Sequence, residues 1–453
     1  ALLSTRLYRS LRRKLGCRHW RSVRCHVESL VLLVVAGGDC LDDLEVLRAD
    51  AGLPALLGFE LSSPTAAKRF LYRFHQRLDG RQYRRGEDAT LSKQGVAQLR
   101  PEGPGLLALA DTVSEVVRAL QRDRQQGRAT LDVDATLVES HKRVALKGYK
   151  GFPGYQPQMA WWAEQQLWVC DEFRDGNVPA EFEAKAFLER AFGALPGSVR
   201  ELRMRADSAL YNEDALTWAD DHGVQFAVSA DMSDGLEAKV RALPRGAWQP
   251  YTSLKRGGKD GSAFEEREWS EVVDFVPGWK RNRKKDGHPF RYVAIRVRTR
   301  QQDLLEADET AWRHFAVITN MDWEGERLLR WHREKQGTVE HAHGVLKNDL
   351  GAGTLPCERF GANAAWWRIN VLAQNVLEYM KATALPAATH MLRPKALRLR
   401  LFHVVGELVR HARTLVLRVS AALPMAQALA EAREILRAAA VARAGLVGPP
   451  LAT

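Results

Sequence analysis

The feature that most constrains the fold is a change of periodicity after Gly127. The segment ATLDVDATLV, which begins two residues later, alternates between apolar and polar residues. Such alternation is typical of a β-strand with one buried face. Leu131 and Val133 would face a core. Asp132 and Asp134 would lie on the opposite face. The chain is therefore predicted to begin a sheet in its middle, after a first part of short helices.

The predicted elements after this strand indicate a fold class. Two more strand-like runs, a helix, a strand, a second helix and a last strand follow. Their sequences are PQMAWWAE, LWVCDEF, AEFEAKAFLERAFGAL, VRELRMRAD, NEDALTWADDHG and VQFAVSA. Three antiparallel strands followed by helix, strand, helix and strand is the order of an RNase H-like fold. We predict an α/β protein with an RNase H-like mixed sheet and flanking helices.

Three acidic residues on separate predicted elements are candidates for one site. Asp134 and Asp207 lie at the ends of predicted strands, and Glu340 lies in the predicted helix of QGTVEHAHGVLKNDL. In an RNase H-like sheet these strands are central neighbours and the late helix packs over them. Carboxylate oxygens suit Mg²⁺ or Mn²⁺, and two such ions about 4 Å apart promote phosphodiester cleavage. We predict that the three carboxylates are catalytic and bind two such ions.

Two neighbouring features compete with this assignment. Asp132 lies on the same strand face as Asp134 and is the alternative first aspartate. His341 and His343, which follow Glu340, suggest a zinc site, but residues two apart on a helix point in different directions. The HExxH pattern is also absent. We interpret both histidines as structural polar residues.

The charge of the chain favours a polyanionic partner. The formal net charge is +12, and such a balance most often indicates nucleic acid. Eight Arg or Lys residues lie between Arg6 and Arg24 without any acid. Nine more lie between Lys280 and Arg300, where Asp286 is the single acid.

The cysteines and the apolar runs exclude other classes. The five cysteines form no CxxC pair and their number is odd, so a disulfide framework is not expected and a reducing cytoplasm fits better. The longest apolar run, Leu30–Ala36, is far shorter than the roughly 20 residues that span a membrane. No cleavage pattern of a signal peptide follows it. We expect a cytoplasmic protein without a membrane partner.

Three stretches of the chain resemble bacterial insertion-sequence transposases of the DDE class. They are VESHKRVALKGYKGFPGYQP, RADSALY and QGTVEHAHGVLKNDLGAGTLPCERFGANAAWW. The first aspartate of that family usually occurs as Asp-x-Thr, which Asp134 and Thr136 match. The second precedes a serine, as Asp207 does. The family glutamate is followed seven positions later by a lysine, matched here by Glu340 and Lys347.

The chain departs from many of these relatives just before the glutamate. They carry a tyrosine seven positions and an arginine four positions before it, where this sequence has Arg333 and Gln336. Arg333 and Lys335 are expected to supply positive charge from other directions. Arg333 and Lys347 are therefore predicted DNA contacts beside the carboxylates.

The resemblance implies a cut-and-paste transposase. Such an enzyme binds double-stranded DNA at terminal inverted repeats, cleaves it with Mg²⁺ or Mn²⁺, and joins the 3′-hydroxyl ends to target DNA. Pairing of two ends implies a homodimer in the synaptic complex, associated with the bacterial nucleoid. Two alternatives stay open: an RNase H-like nuclease without strand transfer, and a domesticated DNA-binding protein. The latter would be expected to have lost carboxylates, and all three are present.

Two basic segments are predicted to contact DNA. HKRVALKGYKGFPGYQP joins the first two strands and supplies Lys142, Arg143, Lys147 and Lys150. In the second segment Trp279 adjoins Lys280 and Arg281, and this ring is predicted to stack on an unpaired base. Alternatives for the stacking role are Trp248, Trp269, Trp312 and Trp323.

These observations divide the chain into five predicted segments. A helical DNA-binding domain occupies residues 1–126, where the serine-capped AAKRFLYRFHQ helix has a cationic face suited to a major groove. The two parts of the catalytic domain are 127–230 and 326–385. A β-rich insertion, 231–325, contains the strand-like runs EWSEVVDFV, HPFRYVAIRVRTR and HFAVITN. A basic C-terminal segment covers 386–453.

Overall fold

The fold is described from a computed structural model. The structure describes residues 5–75, 99–251, 265–279, 284, 288–299, 312–411, 414–420 and 425–445. Within these ranges, no helix combines the length and the apolar character needed to cross a membrane.

Among the described residues, six α-helices precede the first strand. They are α1 (Thr5–Lys14), α2 (Trp20–Ala36), α3 (Leu44–Arg48), α4 (Leu53–Leu57), α5 (Pro64–Tyr72) and α6 (Pro104–Asp123). The start of α5 is as predicted, because the Ser63 hydroxyl accepts the Ala66 N–H at 3.3 Å and proline occupies the first turn. Phe70 and Leu71 of α5 and Phe74 just after it are buried.

A nine-stranded mixed sheet forms the centre of the molecule. Its strands are β1 (Arg128–Ala135), β5 (Gln158–Trp162), β6 (Leu167–Glu172), β7 (Glu201–Ala206), β8 (Gln225–Ser229), β9 (Gln249–Pro250), β10 (Glu265–Val272), β11 (Arg291–Thr299) and β12 (Arg313–Thr319). The order across the sheet is β6-β5-β1-β7-β8-β12-β11-β10-β9. β1 pairs antiparallel with β5 and parallel with β7, and β7 pairs parallel with β8. The two predicted aspartate-bearing strands are therefore central neighbours.

The strands of the predicted insertion extend this sheet. β12 pairs antiparallel with β8 and continues into β11 and β10. The predicted strand character of this region is confirmed, and its strands belong to the same sheet as β1 and β7. The boundaries at residues 231 and 325 remain a prediction.

The remaining described elements are further helices, a small sheet and a hairpin. The helices are α7 (Ala184–Gly193), α8 (Glu213–Asp221), α9 (Asp234–Arg241), α10 (Gly325–Arg333), α11 (Lys335–Gly344), α12 (Phe360–Thr383), α13 (Pro394–Leu397) and α14 (Ala426–Gly445). One small sheet contains β2 (Val138–Glu139), β3 (Leu146–Lys147) and β4 (Pro153–Tyr155), and a hairpin contains β13 (Gly406–His411) and β14 (Thr414–Val419). The small sheet carries the predicted basic loop next to the end of β1.

The N-terminal helices share a hydrophobic core with the sheet. Helix α12 is buried along most of its length, including Trp366 and Trp367, and it packs against α2, α6 and β6. One continuous cluster of buried residues extends from Tyr8 to Tyr379. The predicted boundary at residue 126 therefore does not separate two cores, although its functional meaning remains a prediction.

A buried arginine joins the N-terminal region to this core. Arg368 on α12 is 1% exposed and pairs with Asp171 at 2.9 Å and with Glu102 at 2.6 Å. Another arginine, Arg398 of the predicted basic tail, is also buried. Its guanidinium donates to the carbonyl oxygens of Val34, Val35 and Asp349, so it holds the C-terminal segment against α2.

The Arg368→Ala variant should be strongly destabilised. Removal of the guanidinium leaves two partly or fully buried carboxylates without their cation, which typically costs about 3–5 kcal/mol. Chemical denaturation of the full chain measures the loss. Arg393→Ala is the matched control, because its pair with Asp349 has an arginine side chain that is 43% exposed and is expected to contribute about 1 kcal/mol or less. If Arg368→Ala and Arg393→Ala lowered the free energy of unfolding equally, the buried ion pairs of Arg368 would not be a special source of stability.

Candidate active site

Asp134 lies near the carboxyl end of β1, on the strand face that α11 covers. Its side chain is 15% exposed, and Oδ1 accepts a hydrogen bond from the Lys335 ammonium at 2.9 Å. Its other oxygen, Oδ2, lies 3.4 Å from Nε2 of His343. Burial opposes ionisation, but His343 and Lys335 together lower the pKa of Asp134. The carboxylate is therefore charged and faces two different partners.

Asp207 follows β7 directly, beside the end of β1. The parallel register pairs Val133 with Ala206, so the positions of the two aspartates are adjacent along neighbouring strands. The Asp207 carboxylate caps a short turn, since Oδ1 accepts the Ala209 N–H at 3.2 Å. Burial raises the pKa of Asp207, which Lys335 opposes and the Asp134 carboxylate reinforces. The two predicted aspartates are thus close enough to repel each other.

Lys335 supplies a positive charge to both aspartates. It is 8% exposed in the first turn of α11. Burial disfavours its charge, but the carboxylates of Asp134 and Asp207 raise the pKa of the ammonium overall. Because the two carboxylates keep this buried lysine protonated, they form a site that attracts cations.

Asp132 has a different environment from Asp134. It is fully buried, and both of its oxygens accept from Arg205, at 2.6 and 2.9 Å. The Thr338 hydroxyl also donates to Asp132. Arg205 in turn pairs with Glu334 at 2.9 Å. Asp132 is therefore part of an ion-pair network that joins β1 and β7 to the start of α11.

Glu340 lies on the exposed side of α11, one turn before His343. In the described part of the chain, no hydrogen bond or ion pair joins it to Asp134 or Asp207. The only described His, Cys, Asp or Glu triple with ligand atoms within 4.8 Å of one another is Asp39, Cys40 and Asp43. There the Asp43 carboxylate accepts the N–H groups of the other two. The structure thus places the two aspartates at adjacent strand ends, and Glu340 makes no described hydrogen bond or ion pair with either of them.

Lys347 reaches the same strand end from beyond α11. It lies in a π-helical turn, Val345–Asp349, and such turns are frequent at functional sites. Its amine donates to the Thr136 hydroxyl at 2.8 Å. Burial, with a contribution from Lys150, lowers the pKa of Lys347, and Asp134 opposes this effect. The lysine of the predicted motif is therefore close to the first aspartate.

A basic surface lies beside these residues. Burial raises the pKa of the Cys357 thiol to about 12, and the nearby charges of Lys68, Lys142 and Arg359 oppose this increase. The guanidinium of Arg359 lies 4.6 Å from the centre of the Tyr72 ring on α5. Lys68 of α5 and Lys142 of the predicted basic loop therefore both lie near Cys357. Arg143, Lys147 and Lys150 of that loop are exposed, and Arg333 is half-buried at the end of α10.

Trp279 packs against Tyr211, four residues after Asp207. Its ring lies 5.1 Å from that of Tyr211 and 6.5 Å from that of Phe290, and it is half-buried. The alternatives are engaged elsewhere: Trp269 is buried, Trp248 and Trp312 flank Arg296, and Trp323 contacts Arg203 and Arg327. The predicted contacts Lys280 and Arg281 lie outside the described residues.

No catalytic role is predicted from the sequence for Lys335 and His343, the two residues beside Asp134. Lys335, Val339, Ala342 and His343 share the buried side of α11, a helical pattern that the sequence does contain. His343 is buried, and burial lowers its pKa despite the nearby Asp134. Its contact with Asp134 was not predicted. His341 is exposed on another side, as the two-residue spacing requires.

A mixed sheet with two aspartates at adjacent strand ends, beside a basic surface, is typical of enzymes that act on nucleic acid phosphodiesters. A family model, transposase DDE domain group 1, matches residues 6–441. The chain belongs to this family and is a DDE-class transposase. DDE-class transposases are enzymes that act on DNA and generally use divalent metal ions. A comparison with curated proteins finds no match.

Proposed function

We propose that this chain catalyses cut-and-paste transposition with Asp134, Asp207 and Glu340 as its catalytic, metal-binding residues. The observation that carries the proposal is the pair of aspartates at the ends of parallel β1 and β7, with the Lys335 ammonium in contact. The strand order β6-β5-β1-β7-β8 supports an RNase H-like sheet, in which these positions are central.

The donor set fits Mg²⁺ or Mn²⁺. Carboxylates are the preferred ligands of such ions, and the mutual repulsion of Asp134 and Asp207 is relieved when a dication binds. When bound, two ions would supply activation of a water or 3′-hydroxyl and stabilisation of the leaving oxygen. Asp134 and Asp207 would hold them from the sheet. Glu340, which is exposed on α11, has the rotational freedom to complete the set.

The cationic side chains then have separate roles. Lys335 neutralises the aspartates before the ions bind, and its flexible stem allows the ammonium to turn toward a DNA phosphate afterwards. Lys347, held at the end of β1 by Thr136, contacts a phosphate beside the reacting bond. Asp132 holds Arg205 and keeps β1, β7 and α11 in register, so we assign the first catalytic position to Asp134.

The DNA would follow the basic surface formed by α5 and the loop after β2. Lys142, Arg143, Lys147, Lys150 and Arg333 are proposed backbone contacts. Trp279 could stack on a base only if it left Tyr211. Because α5 packs into the common core, recognition of the terminal inverted repeats is proposed for the intact chain. Synapsis of two ends would require a homodimer.

Incubation of the full chain with the ends of its element, Mg²⁺ and a target plasmid tests the proposal. We expect cleavage at the ends followed by covalent joining of the 3′ ends to the plasmid. Cleavage without joined product would favour the nuclease alternative. Specific binding without cleavage would favour a DNA-binding protein, and neither binding nor cleavage would overturn all three.

The basic surface yields a separate expectation. Lys142→Ala and Lys347→Ala should each weaken binding to DNA ends and make the slope of log affinity against log salt shallower by about one unit. Binding measured by fluorescence anisotropy over a salt series gives this slope. Lys185→Ala is the control, because that lysine is exposed on α7 and pairs there with Glu189. Slopes unchanged relative to this control would show that neither residue contacts the backbone.

A further inference from the structure

The buried imidazole of His343 is a further candidate ligand for the divalent ions of the proposed active site. This assignment rests on the proposed function. The residue is 4% exposed and lies against Trp168, with ring centres 5.0 Å apart. Neither ring nitrogen makes a hydrogen bond of normal geometry with the described residues. Buried polar atoms without such partners are rare, so the position of this ring requires an explanation.

The distance between His343 and Asp134 fits a shared metal ion better than a hydrogen bond. Nε2 and Oδ2 are 3.4 Å apart, whereas hydrogen bonds between N–H and oxygen are most often about 2.9–3.0 Å long. Nitrogen and oxygen ligands lie about 2.0–2.2 Å from ions such as zinc. At those bond lengths, two ligands of one ion are about 2.8–3.1 Å apart at a right angle and about 3.3–3.6 Å apart at a tetrahedral angle, which includes the observed distance. The observed pair therefore has the spacing of two neighbouring ligands.

The proposed catalytic glutamate lies one helical turn from this ring, on the adjoining exposed side of α11. Glu340 and His343 are three positions apart on α11, so their side chains are neighbours along the helix. The same Glu-x-x-His spacing directs both side chains to one ion in carboxylate-bridged two-metal helix bundles. Here α11 packs over β1, which supplies Asp134 from the opposite direction.

We propose that Nε2 of His343 is a direct ligand of the ion bound by Oδ2 of Asp134, giving that ion mixed nitrogen and oxygen coordination. The other oxygen of Asp134 accepts from Lys335, so the two oxygens address two separate cation positions. Imidazole suits transition metals, whereas all-oxygen sites suit Mg²⁺. The His343 position therefore prefers Mn²⁺ or Co²⁺ to Mg²⁺ more strongly than a site made of carboxylates alone.

Pulsed EPR of the full chain loaded with Mn²⁺, without DNA, tests this ligand directly. We expect hyperfine coupling from a coordinated nitrogen, and its pattern should change when the protein carries ¹⁵N-labelled histidine. This measurement needs no substitution. His343→Gln should abolish the coupling and weaken Mn²⁺ affinity at least about 10-fold, as loss of a site residue typically does. The affinity for Mg²⁺ should fall less.

His341→Gln is the matched control, since it removes an exposed imidazole two positions away on the same helix. It should retain both the coupling and the affinity. Absence of histidine coupling in the Mn²⁺-saturated wild-type protein would overturn the assignment, as would coupling that persists in His343→Gln. If DNA cleavage still required Asp134 in that case, only the ligand assignment would fail. If Asp134→Asn left both Mn²⁺ binding and cleavage unchanged, the proposed function itself would fail.

Discussion

Asp134→Asn, Asp207→Asn and Glu340→Gln should each reduce Mg²⁺-dependent cleavage of element ends by about 10³-fold or more, a loss typical of central catalytic groups. Each change removes one negative charge and keeps the shape of the side chain. The two aspartates already interact with each other and with Lys335, so loss of either charge removes the attraction for a second cation. Cleavage on a gel under single-turnover conditions measures the effect.

Binding to DNA ends separates this loss from a loss of structure. All three variants should bind the ends, in buffer without divalent metal, within a few-fold of the wild-type protein. Asp214→Asn is the control, because it makes the same chemical change at an exposed position in the first turn of α8. A variant that cleaved within tenfold of this control would remove its residue from the proposed site. Glu340 is the most informative of the three, since among the described residues it makes no hydrogen bond or ion pair with either aspartate.

The sequence predicted the strands of the site well because their signal is local. Alternation in ATLDVDATLV is enough to place Asp134 on the polar face of β1, and the run before Asp207 ends where β7 ends. The proximity of Asp134 and Asp207 followed from the expected strand order. In each case a short pattern and one rule of topology were sufficient.

The partners of Asp134 could not be predicted in the same way, because they depend on how α11 is placed over β1. Lys335 lies 201 positions away in the chain, and nothing near either residue specifies their contact. The helical pattern of α11 does contain the buried side of Lys335 and His343. Which strand that side meets is decided by packing against β1 and β7.

The extension of the sheet is another non-local result. The strand-like runs after residue 230 were recognisable, but the pairing of β12 with β8 depends on a register that joins Val317 to Ser229. Similarly, the basic character of the first helices suggested an independent DNA-binding unit. Their apolar faces pack against α12, which comes more than 200 positions later in the sequence, so the same residues also build the common core.

Asp132→Asn should show the opposite behaviour to Asp134→Asn. Asp132 accepts both nitrogens of a buried guanidinium, and removal of one charge from such a pair costs about 3–5 kcal/mol. We expect the lower end of this range, because Arg205 keeps its contact with Glu334. At a temperature where the variant remains folded, it should cleave DNA ends within about tenfold of wild type, as expected for a residue outside the ligand set.

A double substitution identifies the origin of that loss. Asp132→Leu combined with Arg205→Met replaces the charged pair with apolar side chains, which is often neutral or stabilising at buried positions. The free energy of unfolding should therefore return toward the wild-type value, whereas Asp132→Leu alone should be at least as destabilised as Asp132→Asn. If Asp132→Asn instead kept full stability and lost cleavage, Asp132 would be the first catalytic carboxylate. In that outcome Asp134, with its contacts to Lys335 and His343, would be the residue that positions it.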